Sequence, residues 1–107
     1  MKVINRIKKT QDFGKAINNG KTFRLPSFRI FAIKNDFTYT RVGISISSKL
    51  GCAVVRNRVK RQVRAMCDSI LDYNAQGLDI VIVIRRKYLT NDFDSNKSQL
   101  SDCLKGL

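Results

Sequence analysis

The sixteen residues from Lys49 to Arg64 read KLGCAVVRNRVKRQVR, and no other stretch constrains the possible folds so sharply. Val55, Val59, Val63, Met66 and Ile70 recur at spacings of three and four, so a helix gathers them on one apolar face. Asn57, Lys60, Arg61 and Arg64 fall at i, i+3, i+4 and i+7 and make a second ridge. At about 100° per residue that ridge points away from the apolar stripe. One face is therefore held by a core while the other presents cations and an amide. From Arg56 to Arg64 there are five cations and no carboxylate. Surface helices built for stability mix their signs, with acids four residues ahead of bases. This one repels itself until a polyanion neutralises it. Guanidinium forks match phosphate oxygens bidentately and an ammonium adds a point charge, so a nucleic acid backbone is the natural complement.

The charge of the whole chain points the same way. Its 21 Lys and Arg stand against eight acids, all of them Asp, for a formal charge of +13. Such an excess predicts steered, salt-dependent binding to polyanions. With 43% apolar residues, the 107-residue chain should form one compact domain and not a disordered tail. No segment is long enough to span a bilayer. The opening MKVINRIKK lacks the apolar run and small-residue site of a signal peptide, so a cytoplasmic location is expected. Cys52, Cys67 and Cys103 are odd in number and lack metal-ligand spacing. Free thiols are expected, Cys67 and Cys103 on apolar helix faces, in preference to disulfides or zinc.

Along the chain, residues 1–9 read as a basic arm that frays or docks on a partner. A helix over 10–19 follows, with Thr10 as its cap, Asp12 in its first turn, Gly20 beyond its end, and Phe13, Ala16 and Ile17 on one face. Residues 23–47 supply two strands, Phe23 to Lys34 and Tyr39 to Ser47, joined at Asn35 and Asp36. Val42, Ile44 and Ile46 face one way on the second strand. Arg41, Gly43, Ser45 and Ser47 face the other, a small polar surface suited to a ligand. Neighbours on a strand alternate, so with Phe28 in the core Phe31 lies on the open face. The basic helix is expected over 53–73, and a β-branched central strand over 78–85. A terminal helix over 92–105, opened by Asp92 or Asp94, carries a stripe of Leu100, Cys103, Leu104 and Leu107. The order αββαβα implies an α+β fold, an α-β sandwich with helices packed on a three- or four-stranded sheet.

Catalytic chemistry is hard to find. The chain has no His and no Glu, which removes the commonest general base and one of the two usual carboxylates. Asp68 and Asp72 share a helix face but read as surface charges, Asp68 four residues beyond Arg64. Asp92 and Asp94 suit a helix start. No glycine pattern matches a Walker loop or a dinucleotide fold. No active site is legible in the protein alone.

Lys49, Gly51, Ala53, Val54, Arg56, Asn57, Arg58, Lys60, Arg61 and Arg64 resemble the RNR motif of the bacterial ribonuclease P protein component. The resemblance runs through nearly the whole chain, taking in the basic start, Asp12-Phe13, Arg41-Val42-Gly43 with Ser45 and Ser47, and the late strand from Asp79. It implies a fold like the second domain of ribosomal protein S5, with a left-handed βαβ crossover, where general topology favours a right-handed one. It also implies a place in an endoribonuclease holoenzyme whose catalyst is RNA. The 5′ leader of precursor tRNA is removed there by Mg²⁺-dependent hydrolysis, with the metal held mainly by RNA and no direct protein ligand. No small-molecule cofactor or membrane is implied, and the protein alone should be monomeric.

Carried over residue by residue, the resemblance places Lys49, Arg56, Asn57, Arg58, Lys60, Arg61 and Arg64 against the catalytic RNA. Arg58 lies off the main ridge and is a candidate for bracing a loop. A cleft between the first helix and the open sheet face would hold the single-stranded leader. Phe13 and Ile17 would form its helical wall, Arg29, Phe31, Arg41, Ser45 and Ser47 its sheet wall, with Lys60 and Arg64 flanking it. Phe13 and Ile17 also have a reading as core, and for Ile17 the two readings are equal. Arg85, Arg86 and Lys87 end the central strand, with RNA contact and plain solvation both open to them. The chain departs from the family pattern in Cys52, where a polar residue is usual, in Ile17, where an aromatic is common, and in lacking an extended basic tail. A ribosomal-protein-like structural RNA binder is the alternative of a different class. A helix-turn-helix DNA binder is disfavoured because the segment before the basic helix reads as a strand.

Overall fold

A computed structural model describes residues 1–107. The chain forms helix α1 (Thr10–Asn19), strands β1 (Lys21–Arg24), β2 (Phe28–Lys34) and β3 (Arg41–Ser45), helix α2 (Ala53–Ile70), strand β4 (Leu78–Ile84), and helices α3 (Lys87–Thr90) and α4 (Phe93–Lys105). Short 3₁₀ turns at Val3–Asn5 and Ser48–Leu50 precede α1 and α2. The sheet is mixed, in the order β1-β2-β4-β3, with β3 parallel to β4 and the other pairs antiparallel. The β3-α2-β4 segment is thus a parallel crossover between neighbouring strands. No helix is long and apolar enough to cross a membrane.

Alternation along the strands sorts the core into two layers. On one face Phe28, Ile30, Val42, Ile80, Ile82 and Ile84 meet Val59, Val63, Met66 and Cys67 of α2 and Leu100 and Leu104 of α4. Val55 and Ile70, the ends of the apolar stripe, are partly buried against this layer. On the other face a smaller cluster joins Phe31 and Val81 to Ala16 of α1 and Ile7.

Several boundaries differ from the pattern-based expectation. The first expected strand is two, because Leu25, Pro26 and Ser27 turn the chain. Proline offers no ladder N–H, and the Leu25 N–H closes the turn onto the Phe28 carbonyl at 2.8 Å. Buried Ser27 then pins the turn to α4, donating to Asn96 Oδ1 at 2.6 Å and accepting from Asn91 and Gln99 side-chain amides. Helix α2 ends at Ile70, not Tyr73, since the chain straightens at Leu71 and the Tyr73 carbonyl accepts the Thr40 N–H at 2.7 Å. Thr10 begins α1 without capping it; Lys9 holds the cap position and makes no side-chain bond. Asp92 does cap α4, accepting the Ser95 N–H at 2.7 Å. The four-residue α3 has no counterpart in the expected order.

The N-terminal segment is no frayed arm. Asn5 is buried and donates to the Thr40 carbonyl at 2.9 Å. Arg6 forms a parallel bridge with Val42, and the Ile7 N–H bonds the Val42 carbonyl at 3.0 Å. Residues 5–7 therefore cover the free edge of β3, where unpaired backbone groups would otherwise be exposed.

Candidate nucleic-acid interface

The entry to α2 is set by Gly51, whose φ of +156° suits glycine alone and swings the chain from the 3₁₀ turn into the helix. Cys52 then occupies the helix cap position without a capping bond from its thiol, and is exposed. The backbone N–H groups of Val55, then Val54, favour its thiolate and lower its pKa. Cys67 is the opposite case, buried on the apolar face, where desolvation pushes its thiol up to about 12. Cys103 is partly buried, and no disulfide links any of the three.

Beyond this entry the ridge emerges as its spacing requires. Asn57, Lys60, Arg61 and Arg64 line one shallow depression of about 610 Å³, together with Met1, Arg6, Ala65 and Asp68. The protein has only three ion pairs within 4.0 Å, Met1–Asp68, Arg41–Asp12 and Arg41–Asp79, so no cation of α2 is compensated. The i, i+4 pairing of Arg64 with Asp68 does not form. Asp68 accepts the Met1 ammonium on Oδ2 at 2.6 Å and the Tyr73 hydroxyl on Oδ1 at 2.7 Å. Burial opposes ionisation of Asp68, but those two hydrogen bonds, helped by the charges of the Met1 ammonium and Arg6, outweigh it and hold the carboxyl below its ordinary range. Arg56 is half-buried, its Nε shielded without a partner. Arg58 is exposed and lies off the ridge, on a separate groove with Gln62, Tyr88 and Phe93. Lys49 is exposed in the turn before the helix, where the Ser47 hydroxyl accepts its N–H at 3.2 Å.

Beside this depression lies a smaller one of about 230 Å³, walled by Arg6, Ile7, Lys8, Phe13, Val42, Gly43, Ile44 and Arg64. Phe13 rests directly on Gly43: a Cβ there would fall 2.5 Å from its ring, so the glycine makes room for the aromatic. Ile17, one turn along the same side of α1, is 41% exposed. Ser45 is half-buried at the end of β3, and across β4 Arg29 is exposed opposite Val83.

Of the nine expected cleft residues only Phe13 and Arg64 line this depression; Ile17, Arg29, Ser45 and Lys60 lie outside its lining, and Phe31, Ser47 and Arg41 are engaged elsewhere. Phe31 does oppose Phe28 across the sheet but is only 7% exposed, because Ala16 brings α1 down close upon it. Ser47 lies past the end of β3 and caps the following turn. Arg41 is spent inside the protein. Its Nε and Nη2 donate to the two oxygens of buried Asp79 at 2.9 and 2.6 Å, with Asp12 at 3.5 Å. Arg85 braces the β1–β2 turn through the Leu25 carbonyl at 2.8 Å, while Arg86 and Lys87 are exposed at the start of α3.

The comparisons with known proteins join this geometry to a lineage. The family profile described as Ribonuclease P matches residues 1–107. The chain belongs to the ribonuclease P protein family. A ribonuclease P protein component from Mesoplasma florum is 41% identical over 102 residues, covering 94% of this chain and 93% of that one. The Caldanaerobacter subterraneus protein of the same description is 35% identical, with 95% and 88% covered. Among solved structures, the Staphylococcus aureus RNase P protein superposes with a TM-score of 0.83 at 29% identity, covering 94% of this chain and 93% of that one. The Thermotoga maritima RNase P protein gives 0.81 at 29%, covering 95% and 96%. The mixed-sheet α+β fold is that of the ribonuclease P proteins.

Sequence reasoning missed Arg6, which lines both depressions. The available signal was the alternation of Asn5, Arg6, Ile7 and Lys8, a strand-like pattern in which Arg6 and Lys8 share the outer side.

Proposed function

We propose that this chain is the protein subunit of a ribonuclease P holoenzyme. It binds the catalytic RNA through the α2 ridge and the single-stranded 5′ leader of precursor tRNA through the Phe13 cleft, and so assists Mg²⁺-dependent endonucleolytic removal of the leader. The observation that carries this reading is the uncompensated cationic depression of Asn57, Lys60, Arg61 and Arg64 beside a cleft with an aromatic wall. Phosphates suit the first and splayed bases the second. In this reading the Mg²⁺ is held mainly by the RNA, whose phosphates are its natural ligands. The role left to these side chains is to bind and orient RNA. A cytoplasmic setting accords with three cysteines that form no disulfide.

The test is single-turnover cleavage of a precursor tRNA by the cognate catalytic RNA at low Mg²⁺, with and without the protein. A large stimulation that Arg61→Ala plus Arg64→Ala abolishes is the expected result. No stimulation from a folded protein that still binds RNA would leave a structural RNA-binding protein as the better account.

A further inference from the structure

Arg6 and Arg64 are the two side chains common to the α2 depression and the Phe13 cleft. Neither has a carboxylate within 4.0 Å. The nearby candidate, Asp68, has both oxygens occupied by Met1 and Tyr73. Arg6 is only partly buried; its Nε is shielded and has no hydrogen-bond partner within the chain, so the donor is not spent on structure. Nor is Arg6 on a loose arm. Its N–H bonds the Val3 carbonyl at 3.1 Å, it bridges Val42, and its neighbours Asn5 and Ile7 are buried. Two like charges directed into one seam by rigid elements are mutually unfavourable until an anion lies between them.

We propose that Arg6 and Arg64 form a two-arginine clamp for one phosphodiester of the precursor strand, at the point where it passes from the leader cleft to the catalytic-RNA face. The clamp rests on the function proposed above and adds a residue to it. It positions the strand and takes no part in proton transfer. Because one phosphate is shared, losing either arginine forfeits most of what the pair supplies, so the two losses should not add.

The experiment measures holoenzyme affinity for precursor and mature tRNA, and protein affinity for the catalytic RNA. The variants are Arg6→Ala, Arg6→Lys, Arg64→Ala and the double alanine variant. Arg6→Ala should weaken precursor binding about ten- to hundredfold and leave mature tRNA binding unchanged, measured with holoenzyme at saturating catalytic RNA. Arg6→Lys keeps the charge and the apolar stem but loses the fork, so recovery should be partial. It also serves as the folded comparison should the alanine variant lose its circular dichroism spectrum. Replacing leader phosphates one at a time by neutral methylphosphonate should reveal a single position at which wild type and the Arg6 variants bind equally. Equal weakening of precursor and mature tRNA by the Arg6 variants, or no such position, would overturn the clamp. Wild-type stimulation of cleavage is measured alongside. Its absence would sink the functional reading itself, whereas normal stimulation with indifferent Arg6 variants would sink only the clamp.

Discussion

At the start of β3, Arg41 lays its fork on Asp79 at 2.6 and 2.9 Å, with Asp12 at 3.5 Å and its guanidinium carbon 4.7 Å from the Phe37 ring centroid. Across the next residue, at the seam between β3 and α2, Arg6 and Arg64 have no carboxylate within 4.0 Å. The residue type is the same and the two corners are close in the fold, yet one is an internal brace and the other a surface waiting for an anion. The difference is made by the partner. Asp79 is buried and can be tolerated there only if its charge is met, which Arg41 and the Asn35 amide at 2.9 Å accomplish. The seam offers its cations no such use. Basic charge on this molecule therefore divides into a compensated minority that builds structure and an uncompensated majority available to RNA.

The sharpest way to break this comparison is Asp79→Ala, which strands Arg41 in a largely buried position. A loss of about 3–5 kcal/mol in unfolding free energy is expected, read from denaturant titration. A loss below 1 kcal/mol would make Arg41 another free surface cation. At the other corner, Arg61→Ala plus Arg64→Ala should lower affinity for the catalytic RNA roughly a hundredfold or more. The slope of log affinity against log salt should fall by about 1.4–1.8, while stability moves by less than about 0.5 kcal/mol. Unfolding of that variant would place the ridge among the structural charges. Phe13→Ala tests the cleft in the same spirit. Precursor tRNA should lose about 1–3 kcal/mol of binding that mature tRNA does not, and equal losses would return Phe13 to the core.

Two smaller effects sharpen the local electrostatics. With a thiol-specific reagent at neutral pH, Cys52 should react first, its thiolate favoured by the N–H groups of Val55 and Val54. Cys67, desolvated and pushed up to about 12, should stay unmodified until the protein unfolds; equal rates would mean α2 frays at its core. For Asp68 the folded carboxyl sits below its ordinary range, burial opposing and the Met1 and Tyr73 hydrogen bonds prevailing. Its stabilisation is therefore full above the ordinary carboxylate pKa near 4 and lost as pH falls through the lower folded value. The stability difference between wild type and Asp68→Asn should shrink in acid, and a pH-independent difference would show that Asp68 acts through shape alone.

Much of this was readable from residue order. The α2 stripe and ridge needed only the helical period, and the two layers of the core needed only strand alternation. That reading failed where one side chain's surroundings come from distant residues. Alternation puts Phe31 on the correct face, but its burial depends on Ala16 being small enough for α1 to settle on it. Arg41 looked like any basic residue on a polar face until the parallel register set it beside Asp79. Arg6 is hidden in the sequence because a terminal basic segment resembles a loose arm, and its anchorage comes from Thr40 and Val42, more than thirty residues away.

Periodicity, charge and the long motif established a basic α2 with one apolar and one cationic face, the layered α+β fold and the family, because these depend on neighbours a few positions apart. Which cations stay free was decided only by the folded chain. A guanidinium is spent or available according to whether an acceptor lies within hydrogen-bond reach, and that distance exists only once the sheet has brought β3, β4 and the first residues together.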